Sequence, residues 1–127
     1  MKPLKDLGAL IAIVGHIGVS AITFSGSWAD GLNSGWYEDA NGRTWLTGTV
    51  TNPGAPPTGG YKIGNIPTAA ARSNQQLTLP CAILGGASIV KLQVDTNGDL
   101  TLVDPGALWG AANSLVLEGI SFTNQDF

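Results

Sequence analysis

From residue 20 onward, apolar and polar residues alternate in short runs, each closed by Gly, Pro or Asn. Alternation over four to eight residues places one set of side chains on the buried face of a strand. The pattern predicts strands at 20–28 (SAITFSGSW), 35–39 (GWYED), 43–51 (RTWLTGTVT) and 61–66 (YKIGNI). It predicts further strands at 75–79 (QQLTL), 88–94 (SIVKLQV), 99–103 (DLTLV) and 114–122 (SLVLEGISF). NPGAPPTGG, residues 52–60, holds three prolines and three glycines and is expected to be a surface loop. Gly119 is expected to mark a bulge in the last strand. Short strands spaced in this way form sandwiches rather than parallel sheets. The expected fold is all-β, an antiparallel, jelly-roll-like β-sandwich over residues 20–127, preceded by an apolar N-terminal segment over residues 1–19.

Two turns share one string. Asp39–Gly42 and Asp95–Gly98 both read D-x-N-G between alternating runs. In LQVDTNGDLTLV, Asp95, Asn97 and Asp99 also alternate like the first ligands of a calcium loop. Such a loop needs Gly at its sixth position and Glu at its twelfth, where this chain has Leu100 and Gly106. After the first string come Arg43, Thr44 and Trp45, which cannot ligand calcium. Both strings therefore predict hairpin turns, and neither a metal nor a cofactor is expected.

The first 19 residues follow a different period. Leu4, Leu7, Ile11, Val14 and Gly18 fall at alternating steps of three and four, the seam of a short coiled coil. Gly8, Gly15 and Gly18 each weaken a helix by ~1 kcal/mol relative to Ala, and Ile and Val suit strands equally well. Two lysines before an apolar run also resemble a secretory signal, but Asp6 offsets the basic end and His16 interrupts the run. The apolar stretch from Leu7 to Val19 is shorter than the ~20 residues that span a bilayer. The segment is read as an uncleaved anchor or oligomer seam, with Leu4, Leu7, Ile11, Val14 and His16 at the contact.

Charge sharpens the picture. Charged residues are 12% of the 127-residue chain, against roughly 25% in ordinary soluble domains, and the net charge is −3. So few charges do little to keep copies apart, so an oligomer is expected. The six basic residues are scattered, which leaves no footprint for nucleic acid. Catalytic side chains are scarce: one His and one Cys cannot form a four-ligand zinc site, and no G-x-S-x-G elbow accompanies His16. Cys81, within LTLPCAIL, reads as a small buried apolar residue. The expectation is that the chain is not an enzyme. If it binds a glycan, Trp28, Trp36, Tyr37 and Trp109 are the candidates, because flat apolar rings stack on sugar faces. Tryptophans serve more often as core or interface anchors.

The strings GWYEDANGRTWLTGTV, YKIGNIP, LQVDTNGDLTLV and LVLEGISF together resemble the C-terminal head domain of bacteriophage tail-fibre, minor tail and related virion appendage proteins. The resemblance runs from about Trp28 to Phe122. It departs at the family's Leu-Pro-x-Gly-Tyr-Arg-Pro corner, where this chain reads IPTAAARSN from Ile66. It implies a homotrimeric β-sandwich on the virion surface, bound to other virion proteins, without hydrolytic chemistry. Because a short segment precedes the strands, the expected role is capsid decoration or a head fibre. The alternative is a tail-tip or fibre-tip protein that binds a host glycan. A small secreted carbohydrate-binding sandwich is the non-viral alternative.

Overall fold

The two D-x-N-G strings organise the fold. In the computed structural model, which describes residues 19–52, 61–84, 89–103 and 114–124, both form the same tight turn. The Asp39 N–H donates to the Arg43 carbonyl at 2.9 Å and the Gly42 N–H to the Asp39 carbonyl at 3.3 Å. The corresponding bonds from Asp95 and Gly98 are both 3.0 Å. Gly42 and Gly98 take positive φ, 78° and 91°, and neither Asn41 nor Asn97 does. Each is thus a type I turn whose last residue is a left-handed glycine opening a bulge, rather than a two-residue Asn-Gly turn. In the second turn, Asp99 accepts bonds from Asn65 Nδ2 at 2.9 Å and Asn97 Nδ2 at 3.2 Å. Lys62 Nζ sits 3.1 Å from the same carboxylate. Burial pulls Asp99 upward in pKa, but these partners outweigh it and hold the carboxyl below its usual value.

Among the described residues there are nine strands: β1 (Thr23–Phe24), β2 (Ala29–Glu38), β3 (Arg43–Thr51), β4 (Lys62–Asn65), β5 (Leu77–Leu84), β6 (Ile89–Val94), β7 (Asp99–Val103), β8 (Ser114–Val116) and β9 (Ser121–Thr123). All pairings are antiparallel, in the order β1-β4-β7-β6-β5-β8-β3-β2, with β9 also on β3. The sheet curls until it is nearly closed, giving the all-β, sandwich-like architecture expected from the alternation. Its inner face carries Leu46, Val50, Ile63, Leu92, Leu115 and Phe122, each 0–1% exposed. Side chains of this size contribute ~1.5–3 kcal/mol apiece when taken from water.

Four of the expected strands differ by several residues, for local reasons. The first shrinks to Thr23–Phe24, because Gly26 (φ 60°) turns the chain and Trp28 N–H bonds back to Ser25. The second begins six residues earlier than its hydrophobic pattern, since ADGLNS pairs with β3 through two register shifts. The last splits: the Ile120 N–H closes a turn on Leu117 at 3.1 Å, so Gly119 (φ 87°) sits in a tight turn and not in a bulge. Strand β5 also runs on through Pro80, which pairs with Lys91. There β8 has already ended, and a proline costs little where one strand edge is unpaired.

The IPTAAARSN segment makes a short 3-10 turn at Ala69–Ala71. It is fastened by Arg72 Nε on the Ile66 carbonyl at 2.9 Å and by buried Thr44 Oγ1 on the Ala71 carbonyl at 2.6 Å. No helix among the described residues is long and apolar enough to cross a membrane. The apolar segment with Leu4, Leu7, Ile11, Val14 and His16, the bulk of the proline-rich loop, and Trp109 lie outside the described residues.

Candidate binding face

Counting outward from the first turn fixes which aromatic side chains face solvent. Trp36 pairs with Leu46 and Tyr37 with Trp45. Alternation sends the first pair inward, where Trp36 is 4% and Leu46 1% exposed. The second pair lies half-buried on the outer face of β2 and β3. Trp28 is 3% exposed, so neither Trp28 nor Trp36 offers a ring face to a ligand in this fold. Of the sequence-derived aromatic candidates, Tyr37 is the described one on the outside. Trp45 was missed, although the hairpin register places it directly opposite Tyr37.

Trp45 is held in place. Its indole Nε1 donates to Asp39 Oδ2 at 2.9 Å. Asp39 Oδ1 accepts from the backbone N–H groups of Asn41 at 2.8 Å and Arg43 at 3.0 Å. Partial burial pushes the Asp39 carboxyl upward, but the Trp45 bond, the two backbone bonds and the Arg43 charge together hold it below the ordinary carboxylate value. Arg43 turns away to Ser121 on β9, with its Nε and Nη2 at 3.2 and 3.0 Å from Ser121 Oγ.

One side-chain repeat along the strands, Gly35 faces Thr47. A Cβ at Gly35 would lie 2.7 Å from Val19 Cγ1, so the missing side chain lets Val19 roof this part of the face. Beyond it β2 bulges. Asn33, at φ 54°, is the non-glycine residue with positive φ among those described. Its carbonyl accepts from buried Thr47 Oγ1 at 3.1 Å. The bulge is closed by the Ser34 N–H on Asp30 Oδ1 at 2.8 Å, and bonds from the Ser34 side chain and backbone lower the Asp30 pKa.

Opposite the bulge, Gly48 (φ 68°) has no room for a side chain: a Cβ would fall 2.2 Å from the Leu32 carbonyl oxygen and 2.3 Å from that of Asn33. The Gly48 N–H donates to Glu118 Oε1 at 2.8 Å, and its carbonyl accepts the N–H groups of Leu117 and Glu118 at 2.9 and 3.1 Å. The bulge, β3 and the β8–β9 turn are therefore locked together at a single glycine. Val19, Asn33, Ser34, Thr47 and Glu118 line a groove of about 350 Å3 beside this lock. Leu32 stands nearby, 66% exposed.

Elsewhere, Cys81 donates its thiol to the Val116 carbonyl at 3.1 Å, and burial pushes its pKa up to about 12. That thiol has no thiolate character at neutral pH and acts as a packing group. Leu84 and Ile89, on β5 and β6, are 56% and 65% exposed.

No protein-family model matches the chain, and no curated protein matches it in sequence. Its fold is similar to the crystal structure of the receptor binding protein (gp15) of Listeria phage PSA, with a TM-score of 0.61 and 17% identity. That likeness covers 98% of this chain and 77% of the other. At such low identity it is a likeness of fold.

Proposed function

We propose that this chain is a non-enzymatic bacteriophage virion protein displayed on the particle surface, where it serves as an adhesion head. The observation that carries this reading is the fold shared along nearly the whole chain with a phage receptor binding protein. The virion-appendage motifs in the sequence agree with it. The non-enzymatic part of the reading rests on the sequence, with one His, one Cys and no G-x-S-x-G elbow. Capsid decoration is the second reading, favoured by the apolar seam of Leu4, Leu7, Ile11 and Val14, which has the character of an anchor. Purified protein added to host cells should compete with phage adsorption, and immunogold should label tail tips. Labelling spread over the capsid with no competition would overturn adhesion in favour of decoration.

The same reading includes a homotrimer. Low charge and the exposed Leu84 and Ile89 side chains support burial of surface against other copies. Sedimentation equilibrium at micromolar concentration should return three times 13.0 kDa. A monomer would remove this part of the proposal.

A further inference from the structure

We propose that Asn41 is a site of spontaneous covalent modification, converting to aspartate or isoaspartate through a succinimide formed with Gly42, while Asn97 in the matching turn is shielded. This goes beyond the adhesion reading and does not depend on it.

The chemistry needs only water and hydroxide. With its proton removed by hydroxide, the Gly42 backbone nitrogen attacks Asn41 Cγ. A new C–N bond closes a five-membered ring, the carboxamide C–N bond breaks, and that nitrogen takes a proton from water and leaves as ammonia. Water then opens the ring. Cleavage at Cγ restores the ordinary backbone with an aspartate side chain. Cleavage at the α-carbonyl leaves the chain running through Cβ and Cγ, which is isoaspartate. Ammonia is lost and water gained, and nothing is oxidised or reduced. A following glycine favours the attack, because no side chain crowds the nitrogen. Asn41-Gly42 and Asn97-Gly98 both meet that requirement.

The structure separates the two turns. Ring closure needs two movements: the carboxamide must swing over the backbone, and the next peptide unit must rotate to bring its nitrogen onto Cγ. Both are resisted at Asn97. Its Oδ1 accepts the Asp99 N–H at 3.0 Å, and its Nδ2 donates to Asp99 Oδ2 at 3.2 Å. The peptide unit that follows is held at both ends, its carbonyl by Asn65 Nδ2 and its Gly98 N–H on the Asp95 carbonyl, each at 3.0 Å. Gly98 itself is buried.

Asn41 has none of the first three restraints. It is exposed, and among the described residues neither its carboxamide nor its backbone carbonyl takes part in a hydrogen bond. The Gly42 N–H reaches the Asp39 carbonyl at a longer 3.3 Å. One unit further on, the turns are tethered alike: the Asn124 N–H holds the Gly42 carbonyl and the Ile66 N–H that of Gly98, both at 2.9 Å. The difference therefore lies at the asparagines, where bonds that must break before the attack raise the barrier.

Either product would reach the outer face. Asp39 Oδ1 accepts the Asn41 N–H at 2.8 Å, and Oδ2 holds the Trp45 indole. A second carboxylate in this turn adds like charge near Asp39 and raises its pKa. Isoaspartate also lengthens the backbone by one atom within the turn that sets Tyr37 opposite Trp45.

The test is incubation of the full chain at mildly alkaline pH, with peptide mapping by mass spectrometry to follow each asparagine. Asn41 should convert about tenfold faster than Asn97, a barrier lower by ~1.4 kcal/mol. Its rate should rise with pH, because hydroxide generates the attacking nitrogen. In concentrated urea the two rates should converge, since both turns share D-x-N-G. Equal native rates, a faster Asn97, or a preference that persists unchanged in urea would overturn the proposal. The isoaspartate form, isolated by anion exchange, should have a displaced Trp45 indole N–H resonance. Asn41→Asp, which keeps the ordinary backbone, should displace it less. An indole resonance unmoved in the isoaspartate form would overturn the link to the outer face.

Discussion

The indole nitrogen of Trp45 donates to the Asp39 carboxylate at 2.9 Å, tying the outer-face aromatic pair to the turn that sets its register. The same carboxylate also caps two backbone N–H groups of that turn. Its pKa is held below 3.8, so the bond contributes stability above the unfolded value and loses it as pH falls through the folded one. We expect the tryptophan emission that Trp45→Phe removes to change in acid with a midpoint below 3.8. A midpoint at or above that value would mean that the carboxylate is not tied to the indole in solution.

Gly98 and Gly119 separate two costs that glycine usually combines. Both have left-handed φ, 91° and 87°. A Cβ at Gly98 would meet the Ile66 carbonyl oxygen at 2.6 Å and Arg72 Nε at 2.7 Å, whereas at Gly119 it would meet nothing within 4 Å. Gly119→Ala should therefore cost only the conformational ~1–2 kcal/mol. Gly98→Ala should cost clearly more, because backbone must move, and Gly98→Val more again. Urea denaturation of the variants measures the differences, and equal losses at the two sites would contradict the collision.

Calcium should leave thermal unfolding unchanged. The Asp99 carboxylate, third of the alternating candidate ligands, is held by Lys62 at 3.1 Å and Asn65 Nδ2 at 2.9 Å. Binding at 100 times the dissociation constant would add ~2.7 kcal/mol, a shift of several degrees in Tm. Melting curves in calcium and in EDTA should superimpose; a calcium-dependent rise would show that Asp95–Asp99 does more than turn the chain.

Where side chains alternated, the sequence was legible. Strands β3 and β7 match their expected bounds. Periodicity failed where backbone geometry rather than burial keeps residues in a strand. Ala29–Ser34 reads as loop because Asp30, Gly31, Asn33 and Ser34 are turn formers, and its side chains do face solvent. Its place in the sheet is set by the Gly48 lock, a contact 14 or more residues away that no local pattern reveals. The aromatic pair was within reach: stepping back from Asp39–Arg43 gives Glu38–Thr44 and then Tyr37–Trp45. Singling out Trp28 and Trp36 for their flat rings ignored which face each residue takes.

The N-terminal boundary yields the last prediction. The Ser20 N–H and carbonyl pair with Trp36 at 2.8 and 3.0 Å, and Val19 covers Gly35 and borders the groove. Every strand pairing among the described residues lies at Ser20 or later. Deleting residues 1–18 should therefore leave a folded β domain. Deleting residues 1–20 should cost ~1–3 kcal/mol, because two backbone bonds at ~0.5–1.5 kcal/mol each are lost. The shorter deletion also tests the anchor assigned to Leu4, Leu7, Ile11, Val14 and His16. Burying several such side chains at ~1.5–3 kcal/mol each is enough to fix a protein to a particle, so the folded truncation should be missing from purified virions. Truncated protein present at normal copy number would show that attachment uses the β domain instead.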